Sequence, residues 1–319
     1  LLYSSSMNTQ LQNKLKFILP FLLSMTPHLL DASPQEEIVI AIIDTGADTS
    51  HPFIKDHLWS APKNKIFGKG SAHDIHGWNF SSDSEDISDE HGHGTHIAGI
   101  ILQNAGSAKI KLMVLKYYDP SQSGEKNLLN TVKAIQYATK MKADIINYSG
   151  GGDSRSYLEE AAIQEAERQG IIFIAAAGNE GRNNDEFGYY PAGYKLSNII
   201  SVAAMDENEN LLDVSNYGKS SVDIVAPGKQ IFSSLPQKKF GYMTGTSQAT
   251  AWVTGLVAQI MYSEGKKVAP PEVKKQLMAL AIKDRQLMTK IKSESKITSL
   301  PKDFSWFNYQ ANLSSMVTN

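Results

Sequence analysis

The chain is 319 residues long, enough for one large α/β domain or two small ones, with 41% apolar and 20% charged residues, ordinary values for a globular protein with a sizeable core. Its formal net charge of −2 gives no electrostatic reason to expect nucleic acid or an anionic membrane as partner. The absence of cysteine excludes disulfides, thiolate metal sites and a cysteine nucleophile.

In chain order the first feature is the stretch from Met7, MNTQLQNKLKFILPFLLSMTPHLLDAS. Lys14 and Lys16 precede an apolar run at 17–23, and Ala32 offers a small residue before a cleavage point, as in a secretory signal peptide. The run is too short to span a bilayer. Residues 1–32 are therefore expected to be an N-terminal targeting segment, and the protein secreted or periplasmic. If the apolar segment instead belongs to the fold, as a helix packed on the domain, the protein is cytoplasmic. Only a few residues separate this segment from the first strand, so no folding prodomain is expected between them.

Next come short apolar runs: IVIAII (38–43), IKLMVL (110–115), DIINY (144–148), IIFIAAA (171–177) and IISVAA (199–204). Such runs suit strands buried on both faces. Between them Leu128, Leu129, Val132 and Ile135 recur at helical spacing, and 157–169 reads as a helix stopped by Gly170. The alternation predicts an α/β fold, a mostly parallel sheet with helices on both faces. One catalytic-size domain at 33–285 is expected. Beyond it, at 286–319, the pattern fades into a C-terminal extension.

The first strand ends in IVIAIIDTGADTSH (38–51), and its Asp44 suits two chemistries. An aspartic protease needs two carboxylates sharing a proton, because like charges about 3 Å apart do not both ionise. No second Asp-Thr-Gly or Asp-Ser-Gly follows, and a small all-β subunit that would pair as a dimer contradicts the α/β pattern. A serine hydrolase needs a histidine and a nucleophile further on. EHGHGTHIAGI (90–100) offers His93, with Ile97, Ile100 and Ile101 on one side of a helix. MTGTSQATAWVTGLVAQIM (243–261) puts Ser247 at a helix start, where free backbone N–H groups favour developing negative charge. IIFIAAAGNEG (171–181) leaves Asn179 just past a strand end, and NYSGGG (147–152) follows another, at the edge where open parallel sheets bind ligands.

The phrases IAIIDTGAD, HGTHIAG, AAAGNEG and GTSQAT, in that order, resemble the subtilisin-like serine protease (subtilase) family. KADIINYSGGG, YYPAGY, VSNYG and VDIVAPG extend the resemblance over about residues 36–285. It implies the subtilisin-like three-layer fold and a serine endopeptidase that needs no cofactor. It assigns Ser247 as nucleophile, His93 as general base and acid, Asp44 as the group orienting His93, and Asn179 with the Ser247 N–H as oxyanion donors. It also implies a protein or peptide substrate, extended along Ser149, Gly150 and Gly151. A monomer without nucleic acid or a membrane span is expected. A catalytically weak binding or scaffolding subtilase and a serine acyl-transfer peptide ligase are the alternative readings.

Several positions depart from the family pattern. Gln248 and Trp252 stand beside the nucleophile where the family has other residues. Gly150 stands where a Leu usually lines a pocket wall, and Tyr189 is expected to refill that space, giving a broad apolar or aromatic preference before the scissile bond. The family's strong calcium site uses an Asp in a His-Pro-Asp phrase, and here the residue is Phe53, so no metal is expected there. The acidic stretch SSDSEDISDEHG (81–92) reads as a solvated loop, with calcium as its competing reading. His91 and His96 read as structural or solvated, and His73 with His76 as loop residues rather than ligands.

Overall fold

A computed structural model describes residues 36–62, 76–264 and 268–297. The segment read as a signal peptide, His73 and the tail beyond residue 297 lie outside the described residues. The strands in chain order are β1 (Ile38–Asp44), β2 (Gly77–Asn79), β3 (Ile110–Lys116), β4 (Ile145–Tyr148), β5 (Ile172–Ala176) and β6 (Ile199–Met205). They continue as β7 (Ile224–Pro227), β8 (Ile231–Leu235), β9 (Lys239–Met243), β10 (Ile282–Lys283) and β11 (Ser295–Lys296). All five predicted apolar runs are strands. The helices are α1 (His93–Asn104), α2 (Gly124–Lys140), α3 (Tyr157–Arg168), the single turn α4 (Asn184–Phe187), α5 (Thr246–Glu264) and α6 (Pro270–Leu280).

Nine strands form one sheet in the order β10-β11-β7-β6-β5-β4-β1-β3-β2, parallel throughout except for the β10–β11 pair. Strand β1 lies inside it, with Ile40 opposite Leu112 of β3 and Ile145 of β4. Side chains alternate across a strand, and β1 shows what that does here. Ile38, Ile40 and Ile42 join the core under α1, α5 and α6, while Ala41 and Ile43 join the core under α2 and α3. The fold is therefore the predicted α/β sandwich of a parallel sheet between helical layers. β11 pairs with β7 at Lys296 and Val225, so part of the segment 286–319 belongs to this sheet.

Local chemistry sets the helix ends. Ser123 and Ser156 cap α2 and α3 by accepting from the N–H groups of Lys126 and Glu159. α3 stops before Gly170, whose φ of +76° is the left-handed conformation that glycine adopts most cheaply. Leu129, counted with the apolar face of α2, instead lies 39% exposed.

Fifteen of the nineteen residues of α5 are buried, which makes it the central helix rather than an amphipathic cover. Its buried hydroxyls are satisfied: Thr250 and Thr254 donate to the carbonyls of Thr246 and Thr250 at 2.7 and 2.9 Å. α5 crosses α1 at Gly255, where an added Cβ would stand 2.6 Å from Asn104 Cβ and 2.7 Å from the Ile101 carbonyl. Ala has the better helix propensity by about 1 kcal/mol, but overpacking against backbone costs about 1–3 kcal/mol. Gly255→Ala is therefore expected to lower stability in urea denaturation. A more stable variant would show that the two helices separate without cost.

Candidate active site

The carboxyl ends of β1, β4 and β5 deliver Asp44, Ser149 and Asn179 to one edge of the sheet, the edge where parallel sheets bind ligands. Asp44 is 4% exposed and its Oδ1 accepts from the Thr45 N–H at 2.8 Å. His93, the first residue of α1, places Nδ1 2.7 Å from the same oxygen. A carboxylate only accepts, so Nδ1 carries the hydrogen and the neutral ring keeps its lone pair on Nε2. Burial acts to lower the His93 pKa, but the Asp44 charge and hydrogen bond, with a smaller contribution from Asp89, hold it above the ordinary imidazole value. His96, one turn further on, is fully buried, donates from Nε2 to the Gly241 carbonyl, and is driven down to about 4 by burial. The two histidines of HGTH thus differ in charge behaviour, and His96 is structural.

Asp89 holds the start of α1. Its Oδ1 accepts from the N–H groups of His91 and Gly92 and from the Thr45 hydroxyl, and its Oδ2 from the N–H and hydroxyl of Thr95, at 2.6–3.1 Å. Burial pushes its carboxyl up, but these donors outweigh that and hold it below the usual range. The reading of 81–92 as a wholly solvated loop therefore fails at Asp89, because charge counting does not reveal a carboxylate wrapped in donors. Glu85 and Glu90 are exposed, Asp83 accepts from the Trp78 indole, and Asp86 from Ser88.

Ser247 is the second residue of α5 and 7% exposed. Its hydroxyl donates to the Ser149 carbonyl at 3.2 Å, and no hydrogen bond among the described residues joins it to His93. Catalytic hydrogen bonds are commonly long or unformed without substrate. Asn179 is exposed, and its amide oxygen is fixed by the Thr246 N–H at 2.9 Å and the Thr246 hydroxyl at 3.2 Å. Those donors can only face the oxygen, which turns the amide NH2 outward. Thr246 and Asp89 are the orienting residues that sequence reasoning missed; each sits inside or beside a quoted phrase but carries no pattern of its own. Asn147, fully buried in β4, adds another support: its Oδ1 lies 2.8 Å from the Thr254 hydroxyl, whose one proton it shares with the Thr250 carbonyl, and its NH2 donates to Ser149 Oγ at 3.3 Å.

The space left by Gly150 is filled differently from the expectation. A Cβ there would lie 2.4 Å from the Tyr117 hydroxyl and 2.8 Å from that of Tyr148, so these two rings replace the missing side chain. Tyr189 packs against Gly151 instead, 2.5 Å from where its Cβ would be. Gln248 and Trp252 are both 2% exposed, and Trp252 packs in the core under α5. His76 donates from Nδ1 to the Trp59 carbonyl at 2.7 Å, a structural bond.

A parallel sheet with an Asp–His pair at its carboxyl edge, beside a serine heading a buried helix, is the architecture of an α/β serine peptidase. A model of the subtilase family matches residues 35–302, and the chain belongs to that family and is a serine-type endopeptidase. It is 36% identical to the major intracellular serine protease of Bacillus subtilis over 76% of this chain and 75% of that protein. It is 34% identical to thermitase of Thermoactinomyces vulgaris over 76% and 81%. The crystal structure of a cold-adapted subtilisin-like serine proteinase superposes with a TM-score of 0.67, covering 83% of this chain and 89% of that one. At 24% identity that likeness speaks to the fold.

Calcium, on which many subtilases depend, takes about 6–8 oxygen ligands. Phe53 offers no side-chain oxygen, α1 and β3 are joined by only 105–109, and no three His, Asp or Glu among the described residues converge as a metal group. These residues do not fit the family's strong site. A chelator is accordingly expected to leave melting temperature and turnover nearly unchanged. A fall of about 10 °C or more, restored by calcium, would contradict this; that is the shift about 5–6 kcal/mol gives at this size.

Proposed function

We propose that the endopeptidase reaction is carried by Ser247, His93, Asp44 and Asn179, and the observation that supports it most is the 2.7 Å bond from His93 Nδ1 to Asp44. That bond leaves Nε2 as the base. On substrate binding the Ser247 hydroxyl turns from the Ser149 carbonyl toward Nε2, gives up its proton and attacks the peptide carbonyl carbon. Asp44 stabilises the imidazolium. The outward NH2 of Asn179 and the Ser247 N–H hold the oxyanion. The proton on Nε2 then passes to the leaving amine as the C–N bond breaks, and water repeats the sequence to free the acid. The substrate lies extended along Ser149, Gly150 and Gly151, with an apolar or aromatic residue before the scissile bond.

The same reading makes the protein a monomer acting on proteins or peptides. Secretion directed by residues 1–32 is part of the proposal; among the described residues no helix is long and apolar enough to cross a membrane. Mass spectrometry of the mature N-terminus in culture medium and cell lysate decides it, and an intact segment found in the lysate alone would reject secretion.

Ser247→Ala is expected to keep the melting temperature and lose both peptide hydrolysis and fluorophosphonate labelling. Wild-type protein that never labels would favour a binding or scaffolding subtilase. Products joined to added amines in place of hydrolysis would favour a ligase. Asn179→Ala should lower turnover about 10²–10³-fold with little change in KM, the magnitude known for this loss in the subtilisin family. A further outcome concerns pH. His93 works as a base only when neutral, and its raised pKa keeps it protonated to higher pH, so kcat/KM should fall with decreasing pH through a value above 6.5. An acid limb centred below 6.5 would contradict the Asp44 coupling.

A further inference from the structure

Beyond the Ser149–Gly151 segment the surface opens into a cavity of about 570 Å³. Gly151 and Gly152 form one side of it. Tyr117, Tyr118, Tyr148 and Tyr190 supply aromatic walls, and Glu125, Asp153 and Glu159 supply three carboxylates; no Lys, Arg or His lines it. Glu125 and Asp153 stand on the exposed rim, and Asp153 is already paired with Arg182. Glu159 differs from both. It lies in the first turn of α3, is only 2% exposed, and accepts from the Tyr194 hydroxyl at 2.9 Å through Oε2. Its Oε1 has no hydrogen-bond partner among the described residues.

We propose that this cavity is a subsite for a cationic side chain, Lys or Arg, of the extended peptide, with Glu159 as its specificity-determining residue. The inference rests on the peptidase reading above. Oε1 is not among the sealed, unpaired polar atoms and is open to the cavity, but a carboxylate on so buried a residue carries its charge at a cost that a cationic donor beside it lowers. Tyrosine faces beside it attract the same class of ligand, because a cation is held by the ring quadrupole. An apolar side chain would leave Oε1 unpaired, and an acidic one would face three like charges. Strands advance about 3.3 Å per residue, and Gly151 and Gly152 lie two and three residues past Ser149, whose carbonyl marks the nucleophile. The side chain concerned is therefore about two to four residues from the scissile bond, separate from the one next to it.

The same geometry makes the selection depend on pH. Burial pushes the Glu159 carboxyl up to about 7, against the opposing hydrogen bond from Tyr194. Tyr194 has one hydroxyl proton and two acceptors, the Ser156 carbonyl and Glu159, so a neutral Glu159 can donate to Tyr194 instead. The phenols facing it, Tyr148, Tyr189 and Tyr194, are all pushed above their ordinary value by burial and stay neutral through the working range. Of the other charges on packed elements, Glu160 is paired with Arg155, and Asp153 with Arg182. Below pH ~7 Glu159 is neutral and has little hold on a cation; above it the charged form grows and the preference with it.

The experiment compares kcat/KM for peptides differing only in Lys, Arg or norleucine at each position two to four residues from the scissile bond. At pH 8.5 one position should prefer the cation about 10- to 100-fold, the range of one charge-assisted hydrogen bond. The ratio should shrink toward one at pH 5.5, where any titration of His93 cancels because both substrates share it. In Glu159→Gln the ratio should be near one at both pH values, and being read within one variant it does not depend on the amount of folded protein. Calorimetry of the same peptides with Ser247→Ala reads the preference without catalysis, so a failed peptidase mechanism does not mask it. No cationic preference at any position, a preference that ignores pH, or one that survives Glu159→Gln would overturn the proposal.

Discussion

A parallel sheet covered on both faces leaves its strand ends as the places where polar groups meet water, and all strands of one direction end together. This constraint organises the whole molecule. β1 is apolar through Ile43 because both of its faces are packed, and its first polar side chain, Asp44, comes where the covering stops. β4 and β5 end on the same edge and bring Ser149 and Asn179 beside it. α1 and α5 pack against each other at Gly255 under the same sheet face, and their first residues carry His93 and Ser247 to that edge. A change in how those helices cross would move His93 and Ser247 together.

Three buried carboxylates show how the surroundings, rather than the residue type, decide what an acid does. Asp44 meets a histidine and accepts a hydrogen bond from its Nδ1. Asp89 collects N–H and O–H donors from Thr45, His91, Gly92 and Thr95, which favour the ionised form more than burial disfavours it. Glu159 has one phenolic donor at one oxygen, so burial wins and its pKa rises. Asp89 is held in the charged state that a helix cap requires. The third stands ready for a partner that brings its own donor.

Much of this was legible in the sequence, and the reasons are physical. Both-face burial writes itself as unbroken apolar runs, so β1, β3, β4, β5 and β6 appear as strings of Ile, Val and Ala. The hairpin of half-buried β8 and open β9 and the two-residue strands β10 and β11 have no such pattern, because their pairing is set by tertiary contacts. The four phrases around Asp44, His93, Asn179 and Ser247 were readable since each couples a residue type to a strand end or helix start. Thr246 was not, since its role is to turn the Asn179 amide, a contact across 67 residues that no local spacing encodes.

The filling of the Gly150 gap carries the same lesson to the surface beside β4. Removing a side chain from the segment that follows β4 need not open space at that point. Tyr117, at the end of β3, and Tyr148, at the end of β4, come from neighbouring strands and put their hydroxyls where the side chain would have been. Their rings then form the wall of the next cavity along, the one that Glu159 closes from α3. A glycine, two tyrosines and a buried glutamate on four separate segments thus form one surface, since close packing makes each depend on the space the others leave. Specificity in such a cleft can change at a distance from the reacting atoms while Asp44, His93 and the head of α5 keep their places.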